Sequence, residues 1–172
     1  MGSGRIAKRF IPESTMVSGA EVVSVFNPDG KEAKAFAEQA GIDAFSDLDK
    51  FLSDVDAVYI ASPHNTHYEY VKKALTKGKH VLCEIPLVLS GNEARELYEL
   101  AENSKLVLLE ANKTAYCPAF NHIVTLVKSG IVGDIVDVRA SLSKMVKAPT
   151  RELDPLQAGG ALNEHASITL MA

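Results

Sequence analysis

Four short apolar runs recur along the chain, and helical spacing follows each of them. Residues 20–26 (AEVVSVF), 55–61 (VDAVYIA), 81–83 (VLC) and 105–110 (KLVLLE) have strand length and are rich in β-branched residues and leucine. Runs that stay apolar on successive positions mark strands covered on both faces, whereas strict alternation marks a sheet with one wet face. Between them, residues 31–40 place Ala33, Phe36, Ala37 and Ala40 on one helical face, with Gly41 as the stop. A helix over about 68–77 ends at Gly78, and one over 90–103 turns Ala94, Leu97, Tyr98 and Ala101 inward. Ser46 is placed to cap a short helix through Leu52, and Ser90-Gly-Asn-Glu93 reads as a capping box. Alternating strands and helices predict an α/β fold around a parallel sheet.

In such a sheet, ligands sit in the crevice at the carboxyl ends of the strands. Those ends carry Asn27-Pro28-Asp29-Gly30, Ser62-Pro63-His64-Asn65-Thr66-His67, Glu84-Ile85-Pro86 and Glu110. The start of the chain, Gly2-Ser3-Gly4-Arg5-Ile6-Ala7, fits the G-x-G-x-x-G/A fingerprint, in which the first glycine makes the turn and the second lets a pyrophosphate approach. The fingerprint has meaning only between a strand and a helix. A helix from Arg5 to about Glu13 follows it, with Pro12 limiting its length, but no strand precedes it, and a flexible chain end explains the glycines equally. Asp29 is a candidate for an adenosine ribose, although Asn-Pro-Asp-Gly also makes a good turn with no ligand. His67 falls in the first turn of its helix, either beside the crevice or simply on the surface. Glu84 and Glu110 close successive strands and could share acid–base work. Binding nearby backbone groups is the preferred reading for Glu110.

The 172 residues hold one domain, or one domain and part of another. A formal charge of −4 offers no basic footprint for nucleic acid. No run reaches membrane-spanning length, and no charged segment leads into a leader-like apolar one. The two cysteines, Cys83 and Cys117, lack any metal-type spacing, so reduced thiols and a cytoplasmic setting are expected. Pro118 opens a helix to Lys128, and residues 135–142 (IVDVRASL) then alternate apolar and polar, as a half-buried antiparallel strand does. This change of pattern puts a domain boundary near Tyr116, giving regions 1–116 and 117–172. Residues 146–158 read as loop, and Gly159-Gly160-Ala161-Leu162-Asn163-Glu164-His165 leads into an apolar stretch.

The Gly-x-Gly start, the Ala-Ser-Pro-x-x-x-His at one strand end and the Cys-Glu-x-Pro at the next together resemble the Gfo/Idh/MocA family of NAD(P)-dependent oxidoreductases, the glucose–fructose oxidoreductase and inositol dehydrogenase group. The resemblance covers essentially the whole chain and about half of a family member. It implies a Rossmann-type parallel sheet lacking its first strand, plus the beginning of an α+β substrate domain. It further implies NAD or NADP as cofactor, with Gly2, Ser3, Gly4, Arg5 and Ile6 at its phosphates and Asn27 and Asp29 near the adenosine ribose. Ser62, Pro63, His64 and His67 would line it, and Glu84 and Pro86 would lie by the nicotinamide ribose. Glu110 to Pro118 is similar to the segment joining the two domains, with Lys113 and Tyr116 as substrate-side candidates. The segment from Gly159 resembles the active-site helix, with Glu164 as its catalytic carboxylate. A small sugar or polyol substrate and homo-oligomeric full-length relatives are expected, with no nucleic acid or membrane partner.

Two positions depart from the family pattern. Between Glu84 and Pro86 the family has lysine, which positions the substrate hydroxyl and assists proton transfer; here stands Ile85. In the last helix an acid and a small residue should be followed by Tyr or His, but Glu164 and Ala166 are followed by Ile168. His165 is one residue from Glu164, about 100° around the helix. A positioned general base contributes about 10²- to 10⁴-fold to rate. The expected function is therefore hydride transfer between nicotinamide and a sugar- or polyol-like alcohol, impaired at Ile85. The alternatives are a non-catalytic nucleotide-binding or interaction module, and a relic without a stable fold of its own.

Overall fold

The computed structural model describes residues 1–170, which fall into two compact units, Met1–Glu110 and a second that begins at Ala111. In the first, helices and strands alternate: α1 (Arg5–Ser14), β1 (Ser24–Phe26), α2 (Gly30–Ala40), β2 (Asp43–Phe45), α3 (Leu48–Asp54), β3 (Ala57–Ile60), α4 (His67–Thr76), β4 (His80–Cys83), α5 (Gly91–Asn103) and β5 (Leu108–Glu110). Every strand pair is parallel. β1 lies beside β2 with Phe26 opposite Phe45, and β4 lies between β3 and β5 with Cys83 opposite Ile60 and Glu110.

The strands thus form two sheets, one ending on β1 and the other on β3. Met1 and Gly2 bridge the two. The Gly2 N–H donates to the Phe26 carbonyl at 2.9 Å, the Ala61 N–H donates to the Met1 carbonyl at 2.9 Å, and the Met1 amino group donates to the Tyr59 carbonyl. Burial holds that amino group down at about 5, from 8.0. Gly2 has φ +97°, and a Cβ there would stand 2.7 Å from the Ala61 carbonyl oxygen, so the turn admits only glycine without displacement of backbone.

The apolar runs are covered on both faces, as their composition requires. Val25 of β1 packs with Ala7, Phe36 and Ala37 of α1 and α2, while its neighbour Phe26 joins the larger core. That core includes Leu52, Ile60, Val71, Leu75, Cys83 and Leu97, all essentially without solvent contact. Several local signals shift by a residue. Asp47, not Ser46, caps α3, accepting from the Lys50 N–H at 3.0 Å. Ser90 precedes α5 but makes no side-chain cap bond, so the expected capping box does not close. β2 had no sequence signal, being three residues long and largely exposed.

In the second unit, α6 (Pro118–Lys128) starts on proline as expected, and α7 (Ala161–Leu170) follows short 3-10 turns at Arg151–Leu153 and Pro155–Gln157. The 3-10 turn Lys113–Tyr116 also belongs here, which places the division slightly ahead of Tyr116. The strand expected over 135–142 does not form, and Val136 is 94% exposed. An alternating strand is stable only against a partner edge and an apolar layer, and no other strand lies in this unit among the described residues. No helix among the described residues is long and apolar enough to cross a membrane.

Two substitutions test this packing. Leu97→Ala, at a fully buried site on α5, is expected to lower unfolding stability by about 2–5 kcal/mol in urea titration. Gly2→Ala combines a left-handed backbone with a backbone clash and is expected to cost about 2–4 kcal/mol. An unchanged midpoint would show that the bridge between β1 and β3 is not as described.

Candidate functional site

Because the strands are parallel, their carboxyl ends emerge together, and hydrogen bonds tie the emerging loops to one another. The glycine turn abuts the third strand: besides the Ala61 contact, a Cβ on Gly2 would be 3.1 Å from the Ser62 nitrogen. From Ser62 the link passes to the next loop through His67. Its ring Nε2 lies 3.0 Å from the Ser62 carbonyl oxygen and its Nδ1 lies 2.8 Å from the Pro86 carbonyl oxygen. His67 is fully buried between the two loops and presents no atom to solvent, and in either neutral tautomer its one N–H donates to one of these two carbonyls. His64, also buried, packs its ring 5.6 Å from that of His67, in the 3-10 turn that Pro63 introduces. Thr66 donates to Ser62 Oγ at 2.7 Å.

Gly4 ends the glycine turn as the residue before α1. Its α-carbon faces open space, with nothing within 4 Å of where a Cβ would be. The N–H groups of Arg5, Ile6 and Ala7 open the helix, and its first turn carries no acidic side chain. Such a helix start favours an anion through its unpaired N–H groups and its dipole. Ala7 is buried against α2, the close packing that the third small residue of the fingerprint provides. Arg5 is exposed and Ile6 half-buried.

Beyond β1, Asn27 donates to Ser3 Oγ at 2.7 Å and accepts from the Asp29 N–H at 2.9 Å. Asp29 is occupied as the cap of α2, its Oδ1 accepting from the N–H groups of Lys31 and Glu32. The carboxylate that meets the glycine turn is Glu32, 3.3 Å from Ser3 Oγ and 3.4 Å from Asn27 Nδ2. It lies three residues past Asp29 on the next helical turn, a spacing that could have nominated it.

At the end of β4, Glu84 accepts a short hydrogen bond from the Tyr59 hydroxyl. Tyr59 points to the opposite face from Val58 and Ile60 and stacks on Phe10 of α1, with ring centroids 3.9 Å apart and planes at 20°. Burial, with the hydrogen bond to Glu84, drives the phenol well above its ordinary range, so it remains a donor. Neither Tyr59 nor Phe10 was singled out by motif. The parallel register would have found Tyr59: it lies opposite Leu82, and Glu84 is two residues further on the same face. Glu110 accepts from the Leu87 N–H at 2.9 Å, the backbone role expected of it. Cys83 is buried, and burial together with Glu84 and Glu110 pushes its thiol upward, away from reactivity.

The remaining candidates lie in the second unit. Lys113 and Tyr116 are on an exposed 3-10 turn, Tyr116 with 61% of its surface accessible. Glu164 on α7 forms an ion pair with Arg151 at 2.8 Å, largely shielded from solvent. Asn112 fixes the start of this unit to α7 by donating to the Ser167 carbonyl at 2.9 Å.

Residues 1–112 match the family described as GFO_IDH_MocA, oxidoreductase family, NAD-binding Rossmann fold. A trans-1,2-dihydrobenzene-1,2-diol dehydrogenase from Xenopus laevis is 30% identical over 93% of this chain and 50% of its own length. D-xylose 1-dehydrogenase (NADP(+)) 2 from Haloferax volcanii is 30% identical over 94% of this chain and 51% of its own. Among solved structures, a 3-ketoreductase from Actinomadura kijaniata in complex with NADP superposes with a TM-score of 0.70 at 30% identity, covering 77% of this chain and 44% of that one. An NAD-binding protein from Listeria innocua shares the fold, with a TM-score of 0.84 at 23% identity over 98% of this chain and 51% of that one. The chain thus spans about half the length of these relatives. The match over residues 1–112, together with a glycine turn set against parallel strand ends, shows that the chain belongs to the Gfo/Idh/MocA family of oxidoreductases.

Proposed function

We propose that this chain is the nucleotide-binding half of an NAD(P)-dependent oxidoreductase, with part of its substrate domain, acting on a sugar- or polyol-like alcohol. The observation that carries the reading is the junction of three loops: Gly2–Gly4, Ser62–Pro63 and Glu84–Pro86 are held together by the Met1, Gly2 and His67 contacts. The open α-carbon face of Gly4 and the helix start behind it fit a pyrophosphate. The Haloferax relative named as a D-xylose dehydrogenase and a Bacillus subtilis relative named as a scyllo-inositol 2-dehydrogenase, 33% identical, support the substrate class.

In this reading Ser3, Gly4 and the N–H groups of Arg5 and Ile6 hold the phosphates, while Asn27 and Glu32 border the adenosine ribose. Asp29 contributes there through the turn it caps. Ser62, Pro63 and His64 line the third strand end, and Glu84 reaches the nicotinamide ribose. The nicotinamide, when bound, supplies the hydride acceptor or donor, and protein groups orient the substrate and move its hydroxyl proton. Ile85 has neither charge nor donor for that proton, so turnover is slow unless another group serves. The family resemblance nominates Lys113, Tyr116 and Glu164 on the substrate side, and within the second unit Glu164 is held in an ion pair with Arg151. Ile85 and Ile168 also favour a second reading, in which the family fold binds nucleotide without turnover. Two unpaired cysteines fit a reducing, cytoplasmic setting.

Calorimetric titration with NADH and NADPH is expected to give saturable binding of at least one; no heat at millimolar cofactor would overturn the reading. Ile85→Lys in the full-length protein, assayed on a polyol panel, is expected to raise turnover by about 10²-fold or more with little change in cofactor affinity. If neither rate nor affinity moves, the placement of residue 85 in the crevice is wrong.

A further inference from the structure

From the contact between Tyr59, Glu84 and Phe10 we infer that Tyr59 is a positioning residue for the cofactor's nicotinamide ribose, acting by fixing one oxygen of the Glu84 carboxylate. The inference rests on the oxidoreductase reading above.

Glu84 follows β4 on a side chain with several rotatable bonds and is only half-buried, so without a partner its carboxylate would sample several positions. Here its Oε1 takes a hydrogen bond from the Tyr59 hydroxyl, a charge-assisted contact of the stronger kind. Tyr59 in turn has little freedom. Its backbone lies in β3, and its ring is stacked on Phe10. Phe10 belongs to α1, the helix whose first turn follows Gly4. One aromatic pair therefore joins the helix that would meet the phosphates to the carboxylate that would meet the far sugar. With Oε1 held by the phenol, Oε2 is the oxygen left to accept from a ribose hydroxyl. The phenol cannot itself reach a ribose through the same proton, so its effect passes through Glu84.

This role separates from a plain packing role by comparing ligands. NADPH and NADH carry the nicotinamide ribose, whereas ADP carries only the adenosine side and pyrophosphate. Tyr59→Phe keeps the ring stack and removes only the hydroxyl. In the whole chain it is expected to weaken NADPH or NADH binding by about five- to tenfold, by fluorescence titration, and to leave ADP binding unchanged. Glu84→Gln is expected to give the same selective loss, and the double variant no more than the larger single loss, because the two groups act as one unit. Equal weakening of ADP and dinucleotide by Tyr59→Phe would reduce Tyr59 to a packing residue and overturn the inference. So would unchanged dinucleotide binding, or additive losses in the double variant. A wild-type chain that binds ADP but gains nothing from the nicotinamide half overturns the inference alone. A wild-type chain that binds neither ligand overturns the oxidoreductase reading as well.

Discussion

The split parallel sheet depends on three backbone hydrogen bonds at the start of the chain. Met1 and Gly2 bond to Phe26 on one side and to Tyr59 and Ala61 on the other, so a single extended residue and a glycine turn join β1 to β3. Apart from that bridge, side-chain packing joins the two-stranded and three-stranded sheets among the described residues. With the bridge, the glycine turn is fixed to the third strand end at backbone precision, and α1 leaves in a direction that lets Phe10 reach Tyr59. The site is therefore a consequence of main-chain bonding before any functional side chain is considered.

A second constraint is the coverage of both sheet faces. Val25 and Phe26, adjacent in β1, enter different clusters, one under α1 and α2 and the other with α3 and β3. Burial on both sides leaves the strand ends as the places where polar groups meet solvent cheaply. Even there, most candidate polar side chains are already committed: Asp29 to a helix cap, Glu110 to the Leu87 N–H, His67 to two carbonyls. Among the described residues, the α-carbon of Gly4 faces open space and the first turn of the helix behind it carries no acidic side chain.

The parts of this arrangement that were legible in sequence are those written by burial or by backbone conformation. Doubly covered strands write apolar runs, and the turn at Gly2 writes a glycine because a Cβ would strike Ala61. β2 left no mark because three largely exposed residues need not be apolar. Residues 135–142 carry the alternation of a strand, yet a strand is a property of two edges, and the pattern names only one of them. Asn-Pro-Asp-Gly suits a ribose contact and a helix cap alike, and the distances from Asp29 to Lys31 and Glu32 show the cap. Tyr59 escaped because its meaning depends on the register between β3 and β4, which places Glu84 beside it across 25 residues of chain.

His67 grips its neighbours by main-chain oxygens, those of Ser62 and Pro86, and not by their side chains. Every amino acid owns a carbonyl, so the clasp is indifferent to what projects from either loop. A change of side chain at residue 85, within the clasped turn, need not loosen it. Chemistry at this rim can drift, gaining or losing a proton carrier, while the scaffold that would seat a dinucleotide stays in place.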